Sequence, residues 1–114
     1  MEVFIVGPDQ IVAQDLADAI RANDPDARVR VFRRAEEVIA RLATEPPTAV
    51  ILHREPEGFP ETALGRALAT DGIPHGFLST SGEMGGAAIL ASPFTEATVA
   101  ALLEELTGTR QRGG

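Results

Sequence analysis

Short apolar runs alternate along the chain with segments whose apolar residues recur every three or four positions. Residues 3–6 and 49–52 are continuously apolar, which predicts parallel strands covered on both faces. Residues 28–31 alternate as Arg-Val-Arg-Val, which predicts a strand with one wet face near a sheet edge. Two further strands are predicted over residues 74–80 and 87–91, so the pattern predicts five strands in all.

The segments between the strands carry helix signals. Asp9 and Thr95 stand where the N-caps of the first and last helices are expected, because their side-chain oxygens accept hydrogen bonds from helix N–H groups. Pro60 marks a helix start and Gly72 a helix end, and a short second helix is predicted around residues 38–42. The last helix has the clearest spacing, through Val99, Leu102, Leu103 and Leu106.

This alternation of five strands with helices predicts a doubly wound, flavodoxin-like α/β fold with a five-stranded parallel sheet. Two continuous strands beside one alternating strand fit the order 2-1-3-4-5. The six residues at 81–86 between the last two strands are fewer than the roughly ten to twelve that a helical crossover needs. We therefore expect the helix between strands 4 and 5 to be missing or reduced. One domain is expected over residues 1–107, followed by a flexible tail at 108–114.

Composition limits the partners and the chemistry. The net charge of −7 repels phosphate backbones, so no nucleic-acid partner is expected. No apolar stretch approaches the length of a membrane span, and no signal-peptide pattern is present at the start, so we expect a cytoplasmic protein without a membrane partner. Cysteine is absent and all ten basic residues are arginine. Thiolate chemistry and every function of a lysine are thereby excluded.

The functional edge of such a sheet is the rim where the carboxyl ends of its strands meet. The fold places several small or polar residues at this rim. They are Gly7, Pro8, Asp9, His53, Ser79, Thr80 and Ser92.

From residue 3 to residue 106 the sequence resembles the receiver domains of bacterial two-component response regulators. The resemblance is carried by the order and spacing of four pieces. They are residues 3–6 followed by a small polar segment, Val50-Ile51-Leu52 before the central rim residue, Leu78-Ser79 at the end of strand 4, and Ser92-Pro93-Phe94 before the last helix. The last piece is similar to the family's Lys-Pro-Phe with the lysine replaced.

The resemblance implies that the metal-binding half of the phosphorylation site is lost. The family's acidic pair falls on Gly7 and Pro8, neither of which has a side-chain oxygen, and the neighbouring Asp9 is the one carboxylate there. Magnesium requires several hard oxygen ligands. We therefore expect no metal ion and no cofactor at the rim.

The phosphoryl-accepting half is altered as well. The resemblance places the acceptor aspartate at His53 and the paired lysine at Ser92, next to Pro93, and retains the hydroxyl residue as Ser79. Phosphoryl transfer to a carboxylate needs a cation to neutralise the developing charge, so we expect no catalytic residue. For His53, a phosphoacceptor or metal-ligand role stands against the more common role of a rim histidine bonded to backbone. His75 is expected at the opposite end of the sheet.

Three functions follow from these observations. The first is a non-phosphorylatable pseudo-receiver that acts as a protein–protein interaction module, with another signalling protein or a second copy as its partner. The alternative is an atypical phosphotransfer receiver that uses His53 or Asp9. A small enzyme on a flavodoxin-like sheet is disfavoured, because no base, nucleophile and charge stabiliser converge at the rim.

The short connection between strands 4 and 5 also predicts a docking surface. A missing helix would uncover apolar surface, and a few hundred Å² of exposed apolar surface usually marks an interface. The expected partner-binding residues are Phe77, Leu78, Met84, Ile89 and Leu90. The alternative is that Met84 covers the gap and the domain is monomeric. The basic stretch from Arg28 to Arg34 is expected to be a solvated edge strand, with docking of an acidic partner as its alternative.

Overall fold

The computed structural model describes residues 1–54, 57–79, 89–91 and 94–108. These residues form five strands, β1 Glu2–Val6, β2 Arg28–Phe32, β3 Ala49–Leu52, β4 His75–Ser79 and β5 Ile89–Ala91. They also form four α-helices, α1 Gln10–Asn23, α2 Ala35–Leu42, α3 Ala63–Asp71 and α4 Glu96–Leu103. A 3-10 turn, Phe59–Glu61, precedes α3, and a π-helical turn, Glu104–Gly108, continues α4.

The strands form one parallel sheet in the order β2-β1-β3-β4-β5. The predicted fold class and strand order are therefore confirmed. Val6 at the end of β1 is in register with Phe32 of β2 and with Leu52 of β3. The residues that follow these three strand ends consequently meet at one rim.

Two hydrophobic cores cover the two faces of the sheet. Val3 and Ile5 point into the core shared with α1 and α4, whereas Phe4 and Val6 point into the core shared with α2 and α3. Because side chains alternate along a strand, a strand that is covered on both faces must be apolar at every position. This is why β1 and β3 are continuous apolar runs.

Strand β2 lies at the sheet edge, as its alternating sequence predicts. Val29 and Val31 are half-buried against the α1 and α4 core. The Arg30 Nε lies 3.4 Å from a Glu2 carboxylate oxygen on the neighbouring strand. The arginines of β2 therefore keep this edge solvated.

The helix boundaries follow the predicted caps with one difference. Thr95 accepts a hydrogen bond from the Thr98 N–H (3.2 Å), and Gly72 ends α3 with a left-handed φ of 65°. Pro60, however, lies in the 3-10 turn and not at the start of α3. The α-helix starts at Ala63 because the Thr62 hydroxyl accepts a hydrogen bond from the Gly65 N–H (3.0 Å) and caps it.

Two predictions fall on residues that the structure does not describe. Nine residues, 80–88, join β4 to β5, and the predicted loss of the helix there lies outside the described residues. The predicted tail also lies outside them, apart from Gly108. Within the described ranges, no helix is long and apolar enough to cross a membrane.

Candidate functional site

Backbone hydrogen bonds tie the ends of β2, β1 and β3 together at the rim. The Gly7 N–H donates to the Phe32 carbonyl (2.9 Å), and the His53 N–H donates to the Val6 carbonyl (2.8 Å). Gly7 is buried and His53 is half-buried. The backbone hydrogen bonds of the sheet therefore fix the positions of both residues.

Gly7 and His53 approach each other too closely for a side chain at position 7. A Cβ on Gly7 would lie 2.7 Å from the His53 Cβ, well inside the ordinary contact distance of about 3.5–4.0 Å between carbon atoms. The His53 Cβ is bonded directly to backbone, so rotation of the histidine ring cannot relieve this contact. The packing consequently excludes a carboxylate from position 7 unless the end of β3 moves.

Asp9 is engaged in capping helix α1. One carboxylate oxygen accepts hydrogen bonds from the N–H groups of Ile11 (3.0 Å) and Val12 (3.2 Å). These bonds satisfy two of the N–H groups that a helix start leaves unpaired. The predicted cap is confirmed, and the Asp9 carboxylate is directed at the first turn of α1.

A pocket of about 260 Å³ opens at the rim beside Gly7 and His53. We call it the rim pocket. It is bounded by the ends of β1 and β3 and by the starts of α2 and α3. Its lining consists of Val6, Gly7, Pro8, Arg33, Ala35, Leu52, His53, Arg54, Phe59, Thr62 and Leu64.

Phe59 is the largest buried side chain of the rim pocket, with 1% of its surface exposed. Its ring centroid lies 5.2 Å from that of Phe77 in an edge-to-face arrangement. The Arg54 guanidinium carbon lies 5.3 Å from the same ring centroid, and Arg54 Nη2 donates to the Glu57 carbonyl (2.9 Å). This cation–π contact and hydrogen bond hold the arginine over the pocket.

The charged side chains in the described lining of the rim pocket are arginines. Arg33 and Arg54 line it together with His53, and the described part of its lining contains no Asp or Glu. Throughout the described ranges, no group of three His, Cys, Asp or Glu side chains is arranged to hold a metal ion. The positive charges of these two arginines would repel a divalent cation placed beside them.

The predicted site residues are only partly brought together. Gly7, Pro8 and His53 line one pocket, whereas Asp9 is not among the lining residues. The backbone of Ser79 ends β4 at the same rim, in register with Ala91. Ser92 and Pro93 lie outside the described residues, so their assignment stays a prediction.

His75 does not join His53 in the pocket lining, as expected. It begins β4, and its Nδ1 lies 3.1 Å from the Ile73 carbonyl oxygen. The centroid of its ring lies 5.4 Å from that of the Phe59 ring. His75 therefore has a packing role.

The predicted partner-binding patch needs a correction. Phe77 and Leu78 are 3% and 1% exposed, so the premise that these side chains are uncovered is wrong. Successive strand residues point to opposite faces, and Phe77 packs in the core with Phe59 while Leu78 packs in the core of α1 and α4. Ile89 and Leu90 lie in the edge strand β5, and Met84 lies outside the described residues.

Sequence reasoning did not identify Phe59 or Arg33 as pocket residues. Phe59 is the single aromatic residue in a charged loop, between Pro60 and Gly58, and Gly58 has a left-handed φ of 75°. An aromatic residue placed after such a turn is a usable signal of burial. Arg33 follows the end of β2 and thus belongs to the rim. The sequence pattern had assigned it, with the other arginines of this stretch, to a solvated edge strand.

No family model matches the sequence, and no curated protein matches it. Solved structures do match. The anti-anti-sigma factor PhyR from Bartonella quintana has a TM-score of 0.77 and 17% identity, covering 98% of this chain and 49% of that chain. SdrG from Pseudomonas melonis Fr1, in its BeF3-activated conformation, has a TM-score of 0.74 and 24% identity, covering 92% of this chain and 94% of that chain.

The signal receiver domain of a modulated diguanylate cyclase from Desulfovibrio desulfuricans G20 is also similar. Its TM-score is 0.75 at 18% identity, and the match covers 99% of this chain and 98% of that domain. The present chain spans about half the length of the PhyR structures that it matches. Together these likenesses establish the fold, which is that of receiver domains in signalling response regulators.

Proposed function

We propose that this chain is a pseudo-receiver, a receiver-fold module that is not phosphorylated and signals by binding another protein. One observation carries the proposal. The rim position that would need a metal-binding carboxylate is occupied by Gly7, packed against the His53 Cβ. The carboxylate of the neighbouring Asp9 accepts hydrogen bonds from the start of helix α1.

The electrostatics of the rim pocket support this proposal. Mg²⁺ is held in proteins by hard oxygen ligands and keeps several of its waters. Arg33 and Arg54 line the pocket, and their positive charges oppose a divalent cation. No lysine exists in the sequence to neutralise a transferring phosphoryl group. For the same reasons we propose that the protein is not an enzyme.

The proposed partner is another signalling protein or a second copy of this chain, met in the cytoplasm. The structural neighbours described as response regulators and receiver domains support a signalling role. In the described sheet, β5 is paired on one side by β4 and lies at the edge. An edge strand presents backbone donors and acceptors that a partner strand is able to pair. We propose β5 as the docking edge.

Intact-mass spectrometry tests the absence of phosphorylation. The protein is incubated with acetyl phosphate and MgCl₂ at neutral pH, with a phosphorylatable receiver as the positive control. We expect no adduct of about 80 Da, the mass of one phosphoryl group. An adduct that disappears in His53→Ala or in Asp9→Ala would replace the pseudo-receiver with the phosphotransfer alternative and would identify the acceptor.

A further inference from the structure

Strand β2 lies at one end of the sheet and pairs with β1 alone among the described strands. Two hydrogen bonds identify the backbone groups of β2 that face β1. The Arg28 N–H donates to the Met1 carbonyl oxygen, and the Gly7 N–H donates to the Phe32 carbonyl oxygen, each over 2.9 Å. The backbone groups of both β2 residues therefore point to the inner side of the strand.

The outer edge of β2 is consequently formed by Val29 and Val31. In a parallel strand the N–H and C=O of one residue point to the same side, and successive residues point to opposite sides. The two valines therefore direct two donors and two acceptors away from the sheet. Within the described ranges, no backbone hydrogen bond from a loop or helix reaches these groups. Such an edge is able to pair with a further strand.

The two faces of the sheet differ in chemistry beside this edge. Val29 and Val31 are half-buried against the core of α1 and α4, so their side chains form an aliphatic border on that face. Because side chains alternate along a strand, Arg28 and Arg30 lie on the opposite face. Arg28 is exposed and takes part in no ion pair within the described ranges.

The arginines beside the outer edge keep donors for an acidic ligand. The Arg30 Nε lies 3.4 Å from a Glu2 carboxylate oxygen, but a guanidinium carries five N–H donors, so this contact does not exhaust it. Residues 28–34 contain four of the ten arginines and no Asp or Glu, in a chain of net charge −7. These arginines would repel the β2 edge of a second copy, whereas carboxylates would pair with them.

We infer that the outer edge of β2 binds an extended segment of a partner protein in which acidic and aliphatic residues alternate. The backbone of this segment pairs with the outward groups of Val29 and Val31, which is how peptides add a strand to a sheet. Its carboxylates lie beside Arg28 and Arg30, and its aliphatic side chains lie beside the two valines. The inference is independent of the proposed function, because neither phosphorylation nor the opposite edge, β5, enters the argument.

Three capped peptides test the inference by titration into the ¹⁵N-labelled full chain. The first repeats Glu-Val three times, and the second repeats Gln-Val three times. The third has the composition of the first, with its three Glu placed before its three Val. We expect saturable amide shifts along β2 with the Glu-Val repeat, and binding at least about fivefold weaker with each of the other two. The affinity of the Glu-Val repeat should fall as NaCl is raised.

Hydrogen exchange tests the geometry of the edge residue by residue. The amides of Val29 and Val31 should exchange rapidly in the free protein, because their N–H groups face solvent. They should exchange at least about tenfold more slowly when the Glu-Val peptide saturates the edge, because pairing gives each N–H an acceptor. The Arg30 amide faces β1 and should be protected in both states.

A matched pair of substitutions separates the edge from general charge. Arg28→Gln should weaken binding of the Glu-Val peptide about fivefold, the upper range for one exposed ion pair. Arg66→Gln removes the same charge from an exposed position on α3 and should leave the affinity unchanged. A native-like amide spectrum checks that each variant is folded.

Several results would overturn the inference. The absence of saturable shifts, or shifts confined to β5, would remove β2 as the docking edge. Protection of the Val29 and Val31 amides in the free protein would show that the edge is already covered. Equal binding of either control peptide, or equal weakening by Arg66→Gln, would show that the arginines and valines of β2 do not select the ligand.

Discussion

Replacing Gly7 with alanine should destabilise the protein through one contact. The new methyl group would lie 2.7 Å from the His53 Cβ. The two residues are fixed by the backbone hydrogen bonds from Gly7 to Phe32 and from His53 to Val6, 2.9 and 2.8 Å long. Relief of the contact therefore requires that one strand end moves and strains these bonds.

The expected loss is large for a single methyl group. Overpacking of a well-packed site costs about 1–3 kcal/mol, and the rigidity of both partners places Gly7→Ala at about 2–3 kcal/mol. For a chain of this size, 1 kcal/mol shifts the melting temperature by about 4 °C. We therefore expect Tm to fall by about 10 °C.

Two backgrounds identify the atom responsible. His53→Ala removes the imidazole ring but keeps the Cβ, so Gly7→Ala should cost the same in that background as in the wild type. His53→Gly removes the Cβ, so the added cost of Gly7→Ala should nearly vanish. Urea denaturation of all six proteins gives the two double-mutant cycles, with an expected coupling of about 2 kcal/mol for His53→Gly and near zero for His53→Ala.

Two outcomes would refute this reasoning. If Gly7→Ala is as stable as the wild type, the contact is relaxed in solution. If His53→Ala restores stability as fully as His53→Gly, then the ring and not the Cβ excludes a side chain at position 7. A confirmed Cβ contact would mean that restoring the acid pair, as in Gly7→Asp with Pro8→Asp, distorts the rim instead of rebuilding a metal site.

The other predictions concern a cap, a second glycine and the sheet edge. Asp9→Ala should cost about 1 kcal/mol in urea denaturation because two helix N–H groups lose their acceptor, whereas Asp9→Asn should cost much less. Gly65→Ala should cost about 3 kcal/mol or more, because its Cβ would collide with the Phe59 carbonyl oxygen; a loss below 1 kcal/mol would contradict the described packing of α3 on the 3-10 turn. Wild-type protein should self-associate through β5 in sedimentation velocity, and Ile89→Arg should abolish this by placing a charge at the edge. A wild-type monomer at high concentration would remove the self-association, and unchanged association of folded Ile89→Arg would assign the contact to another surface.

The architecture was predictable because it depends on local patterns. Continuous apolar runs and one alternating strand gave the sheet and its order, since a parallel strand covered on both faces has no position for a polar residue. Asp9 and Thr95 were predictable as caps for a similarly local reason, because a cap bonds to the next turn of its own helix.

The pocket was not predictable, because contacts between distant segments make it. The resemblance showed that Gly7 stands where the family has an acidic residue. Its close approach to His53, however, depends on the register of β1 with β3. Phe59 and Arg33 are distant in the sequence, and both line the rim pocket because the strand ends meet there. The error over Phe77 and Leu78 has the same origin. Phe77 is covered by Phe59 on one face of the sheet, and Leu78 is covered by the core of α1 and α4 on the other, through contacts with residues distant in the sequence.

A titration with Mg²⁺ and beryllofluoride tests the central claim most directly. The structure of SdrG that this chain resembles is that of its BeF3-activated conformation. SdrG is therefore the positive control. The ¹⁵N-labelled chain is titrated with Mg²⁺ in the presence and absence of beryllofluoride. We expect no saturable, Mg²⁺-dependent shift at Gly7, Asp9 or His53. A saturable shift at these amides that requires both reagents would show a working phosphorylation site and would contradict the account.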